Sequence, residues 1–260
     1  MPREHQRYQE RPSRLDGAVV WTLDVPPGPP TGTSQAARSV LPDGCMDLIW
    51  SAGRLVVAGP DTHAFQVDPR DRAPRAAIRF PPGTAPVLLG VPAHELRDHR
   101  VELADLWPRT AVRELTGRID RAADPATALE DFALGLAAET GPPDPLTAAV
   151  ADRLRRGGSV AATAAEVGLG ARQLHRRSLA AFGYGPKVLA RILRLQRALA
   201  LVRTGLPYAE AACAAGCVDQ AHLAREMRDL AGTTLGAYFS AGDAGANSDT
   251  PQPSGSRTTA

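Results

Sequence analysis

Two clusters of side chains have the types and spacing to read the edges of base pairs. Arg172, His175 and Arg176 recur at helical spacing and share one face. Ala221, His222 and Arg225 share a face in a second segment, with Gln220 just ahead of them. An arginine can bond two guanine acceptors at once, and a glutamine can bond N6 and N7 of adenine. A helix fits the major groove. Arg172, His175, Arg176, Gln220, His222 and Arg225 are therefore candidate base readers. On one isolated helix, such a row is ordinarily just a solvated face. Here repetition and charge argue otherwise.

The elements that must hold these residues form a repeat. The first copy is AAEVGLGARQLHRRSLAAFG (164–183) and the second is AACAAGCVDQAHLAREMRDLAG (211–232). Gly168 matches Gly216, Leu174 matches Leu223, Arg176 matches Arg225 and Gly183 matches Gly232, with one extra residue in the second turn. A short Ala-rich helix, a glycine turn and a longer helix make a helix-turn-helix unit. Ser159 is a natural N-cap, and Pro207 opens the matching helix of the second copy. A longer helix, 186–203, closes at Gly205 and spaces the two units. Leu223, Met227 and Leu230 recur at i, i+4, i+7 and face the core; Leu174 and Ala181 lie off the polar face of the first copy.

Charge follows the same division. Residues 1–144 carry 16 arginines against 20 acids, a balance of −4. Residues 145–240 carry 13 basic residues against 6 acids, a balance of +7. A basic block behind an acidic one suggests a polyanion-binding module on a partner domain. Lys187, Arg191 and Arg194 on the spacing helix are candidate contacts to the DNA backbone, with a solvated face as the equal alternative.

Composition bounds the rest. The chain has 260 residues, 43% apolar and 22% charged, an ordinary globular balance. Its apolar runs, such as Val188–Leu195, are interrupted by Arg191 and Arg194. They fall far short of the roughly 18 residues a membrane span needs, so no membrane contact is expected. Residues 1–14 are charged and hold no apolar stretch, which predicts a disordered arm, no signal peptide and a cytoplasmic protein. Cys45, Cys213 and Cys217 have no zinc spacing. Cys213 and Cys217 read as small buried apolar residues rather than metal or redox ligands; Cys45, alone in a turn, reads likewise, with a redox sensor as alternative. Walker, G-x-S-x-G and H-E-x-x-H motifs are missing from the sequence, so neither an enzyme, a metal nor a cofactor is expected.

The N-terminal part reads as short strands at 17–25, 46–50, 55–58, 64–67, 76–80 and 87–91, separated by Gly, Pro and Asp turns. A loop falls at 26–36, a short helix at 93–98, and helices at 109–122 and 125–139, the last capped by Asp124. Asp43, Asp47 and Trp50, facing Arg79 or His63, are candidates for an effector pocket. The plainer alternative makes Asp43 a turn residue and Arg79 a surface ion pair. The expected fold class is a two-domain α+β chain. Its N-terminal domain is mainly antiparallel β with flanking helices. Its all-α C-terminal domain holds two helix-turn-helix units joined by a linker helix. The expected divisions are an arm at 1–14, a sensor or dimerisation domain at 15–140, a DNA-binding domain at 141–240 and a disordered tail at 241–260.

Residues 146–239 resemble the DNA-binding domain of AraC/XylS-family transcription regulators. The stretches that carry the resemblance are LGARQLHRR (169–177), GYGPKVLARILRLQRALAL (183–201) and AGCVDQAHLAREMRDLAGTTLGAYF (215–239). Arg-Leu-Gln-Arg-Ala (194–198) and Gly-x-x-Asp-Gln-x-His-Leu (216–223) are its most specific runs. Three positions depart from the family pattern: Ser178 and Met227 stand where a phenylalanine is usual, and Thr234-Leu235 where a proline is frequent. The stretch 40–62, with RFPPG (79–83), resembles an uncharacterised domain found ahead of such modules, often in actinobacterial regulators. The resemblance implies a regulator that binds double-stranded DNA, controlled through its N-terminal domain by a small-molecule effector or by homodimer formation, with RNA polymerase as a further partner. The rivals are a constitutive architectural DNA binder without ligand and, more distantly, an enzyme with a catalytic N-terminal domain.

Overall fold

A computed structural model describes residues 7–24, 39–68, 70–71, 73–141 and 144–240. The expected loop at 26–36 and the expected tail at 241–260 lie outside the described residues.

The N-terminal part is an antiparallel sheet backed by helices. Its strands are β1 (Arg7–Pro12), β2 (Val19–Asp24), β4 (Met46–Ser51), β5 (Arg54–Ala58), β7 (Arg75–Phe80) and β8 (Arg100–Glu102). They run in the order β1-β2-β7-β4-β5-β8, while β3 (Ser39–Val40) and β6 (Phe65–Gln66) form a separate pair. Alternation sorts the side chains. Val20, Leu48, Val57, Ile78 and Phe80 point to one face, where they form a single core with Leu115 and Ile119 of α3 (Arg109–Asp120) and Leu129 and Ala133 of α4 (Pro125–Thr140). The opposite face carries Trp21, Asp47 and Arg79, paired across the sheet by the register Asp47↔Arg79.

Two expectations for this part are corrected. The run 87–91 is no strand: it falls mostly in α1 (Ala85–Leu89). Pro86 opens the element and Gly90, at φ +70°, closes it in the left-handed conformation. An apolar run of five residues is compatible with either element, and the flanking proline and glycine decide for the helix. Nor is 1–14 wholly an arm. From Arg7 the chain forms edge strand β1, and its end is clamped to α4. Charge there marks an edge strand, not a lack of structure.

That clamp centres on Glu130, 1% exposed. Its carboxylate accepts from Arg11 at 3.0 Å, Ser13 at 2.8 Å, and the Arg14 main chain at 2.6 Å and side chain at 3.0 Å. Burial pushes its pKa up, but these four donors outweigh burial and hold it at about 2. The stabilisation is therefore full above about pH 4.5 and is lost as pH falls through about 2. Glu130→Gln is expected to lower stability at pH 7 by about 2 kcal/mol, discounted because both arginines are half exposed. Urea unfolding at pH 7 and pH 3 checks this: the gap between the two proteins should narrow at the lower pH, and no gap at pH 7 would dismiss the clamp.

From Pro145 onward the chain is helical: α5 (Pro145–Arg155), α6 (Val160–Glu166), α7 (Ala171–Phe182), α8 (Pro186–Arg203), α9 (Tyr208–Ala215), α10 (Gln220–Ala231) and α11 (Leu235–Ser240). Their core centres on Leu189, Ile192, Leu195 and Leu199 of α8, with Leu174, Leu223, Met227 and Leu230 packed in. The two parts touch. Gln196 of α8 donates to the Pro42 carbonyl at 2.6 Å, Ala64 N–H donates to the Leu230 carbonyl at 2.8 Å, and Leu41 joins the helical core.

Candidate nucleic-acid interface

Both helix-turn-helix units are set by local chemistry. Ser159 accepts the Ala162 N–H at 3.1 Å and starts α6; the Asp219 carboxylate accepts the His222 N–H at 2.6 Å and starts α10. The turns need a left-handed residue, supplied by Gly168 at φ +65° and Gly216 at φ +89°. Leu174, Leu223, Met227 and Leu230 are buried, as their spacing requires.

On the outer faces, Arg172, His175 and Arg176 of α7 and Gln220 and Arg225 of α10 are exposed. Arg172, Arg176 and Arg225 make no ion pair among the described residues, whereas Arg177, next along, pairs with Asp144 at 3.0 Å. His222 departs from its expected role. Its Nδ1 accepts the Val218 N–H at 3.3 Å, and its Nε2 lies 3.4 Å from Glu226. The ring braces the turn against α10, so its edge is not free for a base.

The spacing helix also corrects the sequence reading. Arg194 grips Glu226 through two bonds, and Arg191 reaches Asp229 at 3.0 Å and Glu226 at 3.4 Å. Glu226 is 3% exposed, so these pairs tie α8 to α10 rather than meeting phosphates. Periodicity placed both arginines on one face but does not reveal which carboxylate a neighbouring helix brings to it. Lys187 is exposed and makes no ion pair among the described residues. Arg197, which sequence reasoning passed over as a candidate, donates to the carbonyls of Leu154 at 3.2 Å and Ala215 at 2.6 Å, and to Arg155 through Nε at 3.0 Å. Its signal was its place in the Arg-Leu-Gln-Arg-Ala run.

Cys217, His222 and Glu226 bring a thiol, an imidazole and a carboxylate within 4.8 Å of one another. As a metal set they are poorly prepared: the Val218 N–H holds Nδ1, and Arg194 holds the carboxylate. Cys217 is buried, as expected, but Cys213 is exposed. Ser178 is buried, its hydroxyl has no hydrogen-bond partner among the described residues, and it lies with Leu174, Phe182 and Val150 along a shallow, half-open recess. Thr234 takes over where proline is usual: its hydroxyl accepts the Ala237 N–H at 3.1 Å and caps α11.

In the N-terminal part, three of the four expected pocket residues meet. Arg79 is 4% exposed, with Nε 3.3 Å from Asp47 and 3.7 Å from Asp43 and Nη1 4.0 Å from Glu10. Burial pulls the guanidinium pKa down, yet Asp47 and then Asp43 outweigh it and raise it. Burial raises the Asp43 pKa against the pull of Arg79. Trp21 donates to Asp47 at 2.8 Å and lies tilted against the Tyr8 ring, centroids 5.8 Å apart. Trp50 is excluded: three residues from Asp47, it lies on the other face of β4 and donates to Asp120 at 2.8 Å. His63 is exposed beside Thr62.

Two recognition-type helices, held by a common helix and carrying arginines with no ion pair among the described residues, define a double helix-turn-helix DNA-binding protein. Residues 163–241 match the family described as "Helix-turn-helix domain", and residues 18–102 match a "Domain of unknown function (DUF6597)". The C-terminal domain is thus an AraC-type helix-turn-helix domain, and the chain is a DNA-binding transcription regulator. No curated protein matches the chain. Among solved structures it is similar to ToxT from Vibrio cholerae. A point variant of apo ToxT from strain SCE256 is 12% identical with a TM-score of 0.44, over 88% of this chain and 98% of that one. ToxT in a P21 crystal form is 10% identical with a TM-score of 0.44, over 90% and 98%. Unsaturated fatty acid bound ToxT is 10% identical with a TM-score of 0.42, over 92% and 97%. No helix among the described residues is long and apolar enough to cross a membrane.

Proposed function

We propose that the N-terminal domain controls the DNA-binding domain through a small molecule held at the Arg79 cluster. The observation that carries this reading is a shared turn. Asp43 faces Arg79, while Pro42, one residue before it, accepts a bond from Gln196 of the linker helix. At Gly44 the same turn approaches Leu189 and Tyr184 so closely that a methyl group there would lie 3.1 Å from Leu189. A ligand that repartners Asp43 or Arg79 therefore bears on α8 and both recognition helices. In this reading Arg172, His175, Arg176, Gln220 and Arg225 meet base edges, and Lys187 meets a phosphate. The setting is cytoplasmic, the partner is duplex DNA, and homodimer formation and contact with RNA polymerase extend the same function. Enzymatic turnover has no part in it.

The test is thermal melting of the full chain against a library of small polar metabolites. A compound that raises the melting temperature of the natural protein, but not of Arg79→Ala or Asp47→Ala, supports the reading. Unchanged reporter regulation in both variants, at normal protein levels, makes the cluster purely structural. Ligand-independent association that tracks regulation would favour dimerisation instead.

A further inference from the structure

Val218 is the one large apolar side chain among the described residues that stands almost wholly in solvent, 82% exposed; the next, Phe65, is 38% exposed. It sits directly ahead of the Asp219 cap of α10. An apolar residue at that position ordinarily folds back on the fourth helical residue as a hydrophobic staple. Here that residue is Leu223, fully buried in the core, and Val218 is not packed with it. Folding thus makes no use of the Val218 side chain; only its N–H is engaged, by His222.

Its neighbours point to what it meets. Gln220, Ala221 and Arg225, all exposed, follow on the end of α10 that enters a groove first in helix-turn-helix docking. Among base-pair edges in the major groove, the thymine 5-methyl is the one apolar feature. The first unit differs: Leu169, directly ahead of the Gly170 cap of α7, is half-buried and packed against the helical core.

We propose that Val218, with Ala221 beside it, covers a thymine methyl, so that the half-site under α10 carries a thymine close to the guanine read by Arg225. This rests on the base-reading role of the two helices. It makes the two half-sites unlike: the one under α7 is read by arginine and histidine alone, the one under α10 partly by apolar contact.

The experiment uses the full chain and a duplex obtained by in vitro selection. Each thymine is replaced in turn by deoxyuridine, which lacks only the methyl. Removing one buried methyl should weaken binding about fivefold at a single position in the α10 half-site. Val218→Ala should lose a similar factor on the thymine duplex and nothing further on the deoxyuridine duplex. Val218 is exposed, so both Val218→Ala and Val218→Ser should fold normally. A selected site whose guanines depend on Arg225 but whose thymines tolerate deoxyuridine overturns this proposal alone. Normal DNA binding by Val218→Ala with reduced transcription would also overturn it, assigning the side chain to a protein contact. Failure to select any site overturns the base-reading role itself.

Discussion

Arg225→Ala is expected to weaken binding to the selected site by about 1–3 kcal/mol, roughly 5- to 150-fold, with specificity relaxed at only a few base pairs. The basis is that Arg225 is exposed on α10 and makes no ion pair among the described residues, while Arg191 and Arg194 are spent on Glu226 and Asp229. Arg176 holds the equivalent place on α7, and its effect should fall about one helical turn, roughly 10 base pairs, away. Arg176→Ala should cost less. Ser178 fills less of the space under α7 than Met227 fills under α10, so the first helix is expected to be held less firmly and its arginine to be less well aimed. Lys187→Ala should behave differently, weakening all sequences alike and making the salt slope shallower by about one unit. Site selection on each variant, with binding measured across a salt series, separates these outcomes. Equal losses on every sequence for both arginine variants would make them backbone contacts.

The C-terminal helices were legible because their signals are local. Ser159, Gly168, Gly205 and Pro207 act on residues within one turn of themselves, and periodicity marks Leu223, Met227 and Leu230 as core. What escaped were pairings between distant residues. Glu226 meets Arg194 across 32 positions and Glu130 meets Arg11 across 119; a face pattern names the exposed row but not what another element lays over it. His222 was misread for the same reason at short range, since its partners depend on how the turn folds back. Trp50 was misread despite a plain signal: it is an odd number of residues from Asp47, and alternation places the two on opposite faces. Arg79, Asp43 and Asp47 could be grouped from their turn and strand setting, but only the register Asp47↔Arg79 brings them into contact.

Replacing Arg197 with methionine is expected to cost about 2–4 kcal/mol of stability. Arg197 leaves the middle of α8 and donates to Leu154 and Arg155 at the end of α5 and to Ala215 at the end of α9. The last carbonyls of a helix have no partner within it, and a cation there also meets the negative end of the helix dipole. One guanidinium thus ends α5, which precedes the first helix-turn-helix unit, and α9 of the second, and fastens both to the linker. Burial, and then the nearby Arg194, lower its pKa, but its carbonyl acceptors reward only the charged form. Methionine keeps the apolar stem and removes every donor, so packing is changed little and the carbonyls lose their partner. Arg197→Lys should recover only part of the loss, because one ammonium cannot span carbonyls on two helices. Since the linker fixes where α10 sits relative to α7, the methionine variant should lose affinity for the two-part site more than for a duplex carrying either half alone. Urea unfolding of the full chain and binding to whole and half duplexes measure both effects. An unfolding midpoint equal to that of the natural protein would show that water replaces the guanidinium without loss, and the rigidity of the two units would then rest on the apolar face of α8.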